Sequence, residues 1–127
     1  MILKYRAWHK TWEELGKVKR IRFDDEGDVT TVLFEGKILG VNTHVDEIKL
    51  MQSTGLKDKN GKEIFEGDIV KMSKDVYSEP TYYKVVRHRG GAYCLESKQH
   101  GCELWLRHTD CKVVGNVYED PELLEDK

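Results

Sequence analysis

Between Asp68 and Tyr118 the chain offers five short runs in close succession: DIVKM (68–72), YYKVVRH (82–88), AYCLES (92–97), CELWLRH (102–108) and KVVGNVY (112–118). Apolar and polar residues alternate along them, the pattern of antiparallel strands with one face in a core. In CELWLRH the alternation puts Cys102, Leu104 and Leu106 on one face and Glu103, Trp105 and Arg107 on the other. Arg89-Gly90-Gly91 supplies a turn between the second and third runs, because glycine tolerates positive φ. Five short strands within about fifty residues suggest a small closed barrel or a tightly rolled sheet, either of which removes the exposed edges, and this half is expected to form a barrel of the Src-homology-3 type.

The first half is also β in character. VKRIRF (18–23) is β-branched and aromatic, with Ile21 and Phe23 on one face. Asp24-Asp25-Glu26-Gly27-Asp28 breaks that run before VTTVLF (29–34), which predicts a hairpin with a polar tip. Glu35-Gly36-Lys37 turns the chain again before KILGV (37–41), completing a three-stranded meander. VDEIKLMQ (45–52) suits a short strand or a single turn, although Val45, Ile48 and Met51 also fit a helical stripe. At the far end, Asp120-Pro121-Glu122-Leu123-Leu124 reads as a cap, a proline at the first helical position and one helical turn. No repeat or linker divides the chain. The expected organisation is an N-terminal antiparallel sheet lobe (1–55) packed on a C-terminal small β-barrel lobe (56–127), as one integrated domain.

The stretch LMQSTGLKDKNGKEIFEGDIV (50–70) is punctuated by Gly55, Asn60-Gly61 and Gly67. It is not a phosphate loop: five residues separate Gly55 from Gly61-Lys62 where four are needed, and Glu63 stands in place of the hydroxyl. A calcium loop fails as well, since Lys62 takes a ligand position and Glu63 the position of the obligatory glycine. Asn60-Gly61 instead predicts a two-residue type I′ turn that folds LKDK (56–59) back on KEIF (62–65). Four carboxylates lie here, Asp58, Glu63, Glu66 and Asp68, a set that elsewhere serves acid–base or metal chemistry. Lys57, Lys59 and Lys62 are interleaved with them, the mark of a solvated turn with local ion pairs.

Charge narrows the function classes. The formal net charge of −2 gives no strong overall field, which argues against a bulk polyanion binder. Residues 81–112 are locally different. They hold Lys84, Arg87, Arg89, Lys98, Arg107 and Lys112 against Glu96, Glu103 and Asp110, with Tyr82, Tyr83, Tyr93 and Trp105 among them. A basic face with aromatics on a small barrel would suit single-stranded nucleic acid, with Lys84, Arg87, Arg89, Trp105 and Arg107 as contacts. The plainer reading makes them outward positions of alternating strands, offset by the acidic tail (119–127).

Cys94, His100, Cys102, His108 and Cys111 include no close thiolate pair of the zinc-knuckle kind, so the cysteines are expected to fill core positions. No cysteine stands where a helix N-terminus would activate it, and neither a hydrolase elbow nor a dinucleotide fingerprint is present. An odd number of cysteines, a charged start (MILKYRAW) and no long apolar window predict a reduced, soluble, cytoplasmic protein with no membrane segment.

Three blocks, KYRAWH (4–9), LMQSTGLKDKNGKEIFEGDIV (50–70) and VVGNVYEDPELL (113–124), resemble the YopX family of phage and prophage proteins. The middle block is the specific one, and the three are spaced from end to end. The resemblance implies phage origin, a mostly β fold and a role that is not established; it brings no catalytic residues, metal or cofactor. The family pattern has an aspartate where His9 stands and an aromatic where Ser53 stands. The expectation is therefore a non-catalytic binding module for a host or phage protein, as a monomer or homo-oligomer, with exposed tryptophans as anchors. Single-stranded nucleic-acid binding is the alternative, and a metal-dependent hydrolase on the four carboxylates a third.

Overall fold

The computed structural model describes residues 4–37, 40–73, 79–88, 91–97 and 101–124. Arg89, Lys98 and His100 lie outside the described residues. The chain is mainly β and divides into two compact units, Met1–Gln52 and Ser53–Lys127. Its strands are β1 (Tyr5–His9), β2 (Glu14–Phe23), β3 (Val29–Glu35), β4 (Val41–His44), β5 (Ile48–Lys57), β6 (Glu63–Phe65), β7 (Asp68–Met72), β8 (Thr81–Arg87), β9 (Tyr93–Glu96), β10 (Gly101–Glu103) and β11 (Lys112–Asn116). They form two antiparallel sheets, ordered β4-β3-β2-β1-β5-β6 and β10-β9-β8-β7-β11. β5 runs through the boundary between the units, pairing with β1 in its first half and with β6 in its second.

In the first unit β1 is central, with Ala7 opposite both Gly16 of β2 and Leu50 of β5. Ala7, Val32, Phe34 and Ile48 form the buried core. Two small residues side by side leave room for the Phe34 ring: a Cβ built on Gly16 would stand 2.6 Å from Phe34 Cζ and 2.8 Å from the Glu35 carbonyl. Gly16→Ala is therefore expected to cost about 1–3 kcal/mol, the range for forced overpacking. Urea melts of the two proteins measure it, and equal midpoints would refute it.

The 24–28 tip closes as a hairpin, with Asp24 Oδ1 accepting from the Glu26 and Asp28 amides at 2.9 Å. Two sequence expectations shift here. Ile21 packs on the core, but Phe23 is 61% exposed, because the β2–β3 register slips between Arg22 and Phe23 and ends their shared face. The third strand falls at 41–44 rather than 37–41, with Ile38 and Leu39 outside the described residues. Residues 45–47 form a 3-10 turn before β5 begins at Ile48, so VDEIKLMQ contains both of its expected forms.

In the second unit β7 to β10 make a four-stranded meander, and β11 returns to pair with β7. Ile64, Val70, Met72, Tyr83, Val85, Leu95, Leu104, Cys111 and Val113 form its core. The described pairings leave an open order with β10 and β11 at the edges, where a closed barrel was expected. CELWLRH is only partly a strand. β10 ends at Glu103, and a single helical turn, α1 (Leu104–Arg107), follows with a 3-10 turn at 108–110. Leu104 is fully buried, whereas Trp105 and Leu106 are 63% and 57% exposed. Alternation over so few residues also fits one helical turn with one inward side chain. The expected turn at Pro121–Leu124 is present.

Candidate ligand-binding cleft

The signature stretch bends the chain, though not by the expected turn. Asp58 and Lys62 bracket a three-residue loop: the Asp58 amide donates to Lys62 O (2.8 Å) and the Gly61 amide to Asp58 O (3.0 Å). A type I′ turn needs positive φ at both central residues, and only Gly61 has it (φ 82°). The reason is Asp58. Its Oδ1 accepts from the Asn60 and Lys62 amides at 2.9 Å each and fixes the wider loop. Its Oδ2 accepts from the Val113 amide at 2.8 Å, which ties the loop to β11. Burial raises the Asp58 pKa, but the three amide bonds and the Lys62 charge outweigh it and hold the carboxyl below its usual range.

Two of the other signature carboxylates are similarly engaged. Asp68 is buried and its Oδ2 accepts from the Phe65 amide (2.8 Å), while Glu63 accepts from the Ser53 hydroxyl. Gly67 donates to Val85 O and accepts from the Val117 amide. Among the described residues these carboxylates form no grouping able to hold a metal. The one such grouping is Asp24, Glu26 and Asp28 at the exposed tip, where Asp24 already serves the turn.

This local architecture assembles a basic cleft in the second unit. Beyond the Asp58 tie, the Lys59 amide donates to Cys111 O (2.9 Å), which sets Lys59 beside the start of β11. Lys112 opens β11 and is the direct cross-strand partner of Lys71 on β7. α1 brings Arg107, whose Nη2 donates to Ser73 O (2.9 Å) and whose Nε donates to Asp110 Oδ2 (3.0 Å). These groups, with Met72 and Pro80, line a cleft of about 560 Å³. Among the described residues it holds four cationic side chains and one carboxylate. Like charges directly opposite on neighbouring strands repel, so the Lys71–Lys112 pair works against the sheet unless an anion lies near. Lys71 Nζ also sits 5.7 Å from the centre of the Tyr82 ring, within range of cation–π attraction.

Of the described contacts read from sequence, Arg107 alone lines the cleft. Lys84 is exposed on β8 and shares the outward face with Tyr82, two positions away. Arg87 is also exposed but sits three residues from Lys84, so the period-2 alternation turns it to the opposite side. Trp105 points its Nε1 at Glu103 Oε2 (2.7 Å) and is not part of the cleft. Arg89 lies outside the described residues. Lys59 and Lys71 escaped the sequence reading. The alternation of DIVKM does mark Lys71 as outward between Val70 and Met72, but its pairing with Lys112 is a fact of topology.

Cys111 and Cys102 fill core positions as expected, whereas Cys94 is half-buried on β9 outside both cores. Cys111 is buried, its Sγ donates to His108 O (3.2 Å), and burial, reinforced by the Asp58 charge, pushes its pKa up to about 11. Cys102 packs against the core and burial raises its pKa also. Neither is the lowered thiol that nucleophilic chemistry uses. His108 is committed too, with its ring Nδ1 donating to Lys57 O at 2.7 Å. Of the tryptophans, Trp12 is 43% exposed with its ring stacked on His9 at 3.9 Å, and Trp8 is half-buried. No described helix is long and apolar enough to cross a membrane.

The family model described as YopX protein matches residues 4–125. Among solved structures, protein EF1440 from Enterococcus faecalis is 30% identical, with a TM-score of 0.72 over 98% of this chain and 99% of that one. Protein yopX from Bacillus subtilis is 22% identical, with a TM-score of 0.69 over 96% and 98%, a likeness of fold. No curated protein matches the chain.

Proposed function

The chain belongs to the YopX family, and on that premise we propose that it is a phage- or prophage-encoded, non-catalytic binding module of the host cytoplasm. Its working surface is the basic cleft of the second unit, and its partner is a host or phage protein presenting an acidic segment. The second unit serves as a partly open roll of the Src-homology-3 type, a meander whose last strand returns to the first after a helical turn. One observation carries the reading: Lys59, Lys71, Arg107 and Lys112 gather around a concavity with one carboxylate among the described residues, in a chain whose net charge is −2. A local field of this kind attracts and orients an anionic partner while leaving bulk polyanions weakly bound. Single-stranded nucleic-acid binding has less support, because Lys84, Arg87 and Trp105 all lie outside the cleft and strand alternation turns Arg87 away from Lys84.

The test is a double charge reversal, Lys71→Glu with Lys112→Glu. It exchanges one like-charged cross-strand pair for another, so the fold should tolerate it while the sign of the cleft changes. Wild-type and variant proteins are used as bait in induced host cells, with protein and nucleic-acid fractions kept. Proteins recovered by the wild type should fall at least about tenfold with the variant, the effect of losing ~1.4 kcal/mol or more. Equal recovery, with an unchanged melting temperature, overturns the proposal.

A further inference from the structure

We propose that the cleft accepts the carboxylates of an acidic peptide segment, and that Asp110 holds the place of one of them until the segment arrives. The inference rests on the binding reading above and specifies its ligand and its gate. The cleft already contains a carboxylate, that of Asp110, on the guanidinium Nε of Arg107. The two partners are unequal: the Arg107 side chain is 29% exposed and the Asp110 side chain 56%. Arg107 is held a second time, by its Nη2 donation to Ser73 O, so it keeps its place when Asp110 leaves. Asp110 ends a three-residue 3-10 turn between α1 and β11, on an exposed side chain that gives little up by re-entering water.

A ligand carboxylate would take Asp110's position on Arg107, and the exposed ammoniums of Lys59, Lys71 and Lys112 would receive its neighbours. Neighbouring carboxylates of the same segment would offset the Lys71–Lys112 repulsion. The choice of peptide over nucleic acid follows from the aromatics. Unpaired bases are bound by stacking on free ring faces. Among the described residues no aromatic side chain lines the cleft, and the nearby Tyr82 ring already carries Lys71 over one face.

The experiment measures anisotropy of fluorescein-labelled hexaglutamate and, separately, of a labelled twelve-nucleotide oligothymidylate, at low and moderate salt. Wild type, Asp110→Asn and the double reversal at Lys71 and Lys112 are compared, with thermal melts as the folding control. Asp110→Asn should bind hexaglutamate about three- to fivefold more tightly, as expected when an exposed competing ion pair is removed. The double reversal should abolish that binding. Tighter binding of the oligonucleotide than of the peptide would overturn the peptide assignment and leave the cleft as the working surface. Unchanged or weaker hexaglutamate binding by a folded Asp110→Asn would overturn the gate alone. Binding of neither probe by the wild type overturns the gate and the proposed function together.

Discussion

Asp58→Ala should cost the second unit about 3–4 kcal/mol of stability. The Asp58 side chain accepts from three backbone amides, those of Asn60, Lys62 and Val113, and it is buried. Hydrogen bonds to an ionised group contribute about 1.5–3 kcal/mol each, and a buried donor left without a partner carries its own desolvation penalty. Water can reach the loop amides of Asn60 and Lys62, which recovers part of the loss. The Val113 amide is buried on β11 and has no such recourse. Asp58→Asn should fall between the two, because its single oxygen can serve one side of the arrangement and its NH₂ cannot accept on the other.

Urea denaturation at neutral pH measures this, and a loss below about 1 kcal/mol for Asp58→Ala would show that the tie to β11 is dispensable. The pH dependence gives a second check. Folding lowers the Asp58 pKa, so its contribution is fully present above the unfolded value of about 3.9 and is lost as pH falls through the folded value. The gap between wild type and Asp58→Asn should therefore be constant from pH 7 to about 5 and narrow below about pH 4. A gap that widens with acid would contradict the assignment.

Leu104→Ala should cost about 2–5 kcal/mol, the range for truncating a fully buried leucine. Leu104 is the one buried residue of α1, and four residues have no helical stability of their own, so this contact holds the turn in place. Arg107 rides on the same turn. Loosening it should slacken the Arg107–Ser73 bond and weaken binding in the cleft along with stability. Leu106→Ala is the control. Strict alternation would bury both leucines and predict similar losses, whereas the helical turn leaves Leu106 exposed, with an effect within about 0.5 kcal/mol. Equal losses at the two positions, measured by urea melts, would restore the strand and sink the helical assignment.

The strands whose alternation runs against a single core were legible. DIVKM, YYKVVRH and KVVGNVY form strands close to where the pattern put them, because a half-buried strand must alternate. Errors came where a single local event resets the alternation. The slip after Arg22 frees Phe23 from the face of Ile21, and the turn at Leu104 sends Leu106 outward. Neither event has a strong residue signature. At the hairpin, Asn60-Gly61 correctly announced a reversal, but its size was decided by Asp58, whose second oxygen serves a residue fifty-five positions away.

The cleft was the least legible feature. Arg107 and Lys112 stood out within the basic stretch, while Lys59 looked like part of a solvated turn and Lys71 like an isolated outward residue. What the residues by themselves determine is local: which segments alternate, where glycine lets the backbone turn, and that the chain has the YopX family's signature. What only the tertiary structure decides is adjacency. β11 pairs with β7 across some forty residues of chain, and α1 returns Arg107 to Ser73, so four scattered cations come to share one concavity. Charge density depends on distance in space, and sequence order does not encode that until the strands have chosen their partners.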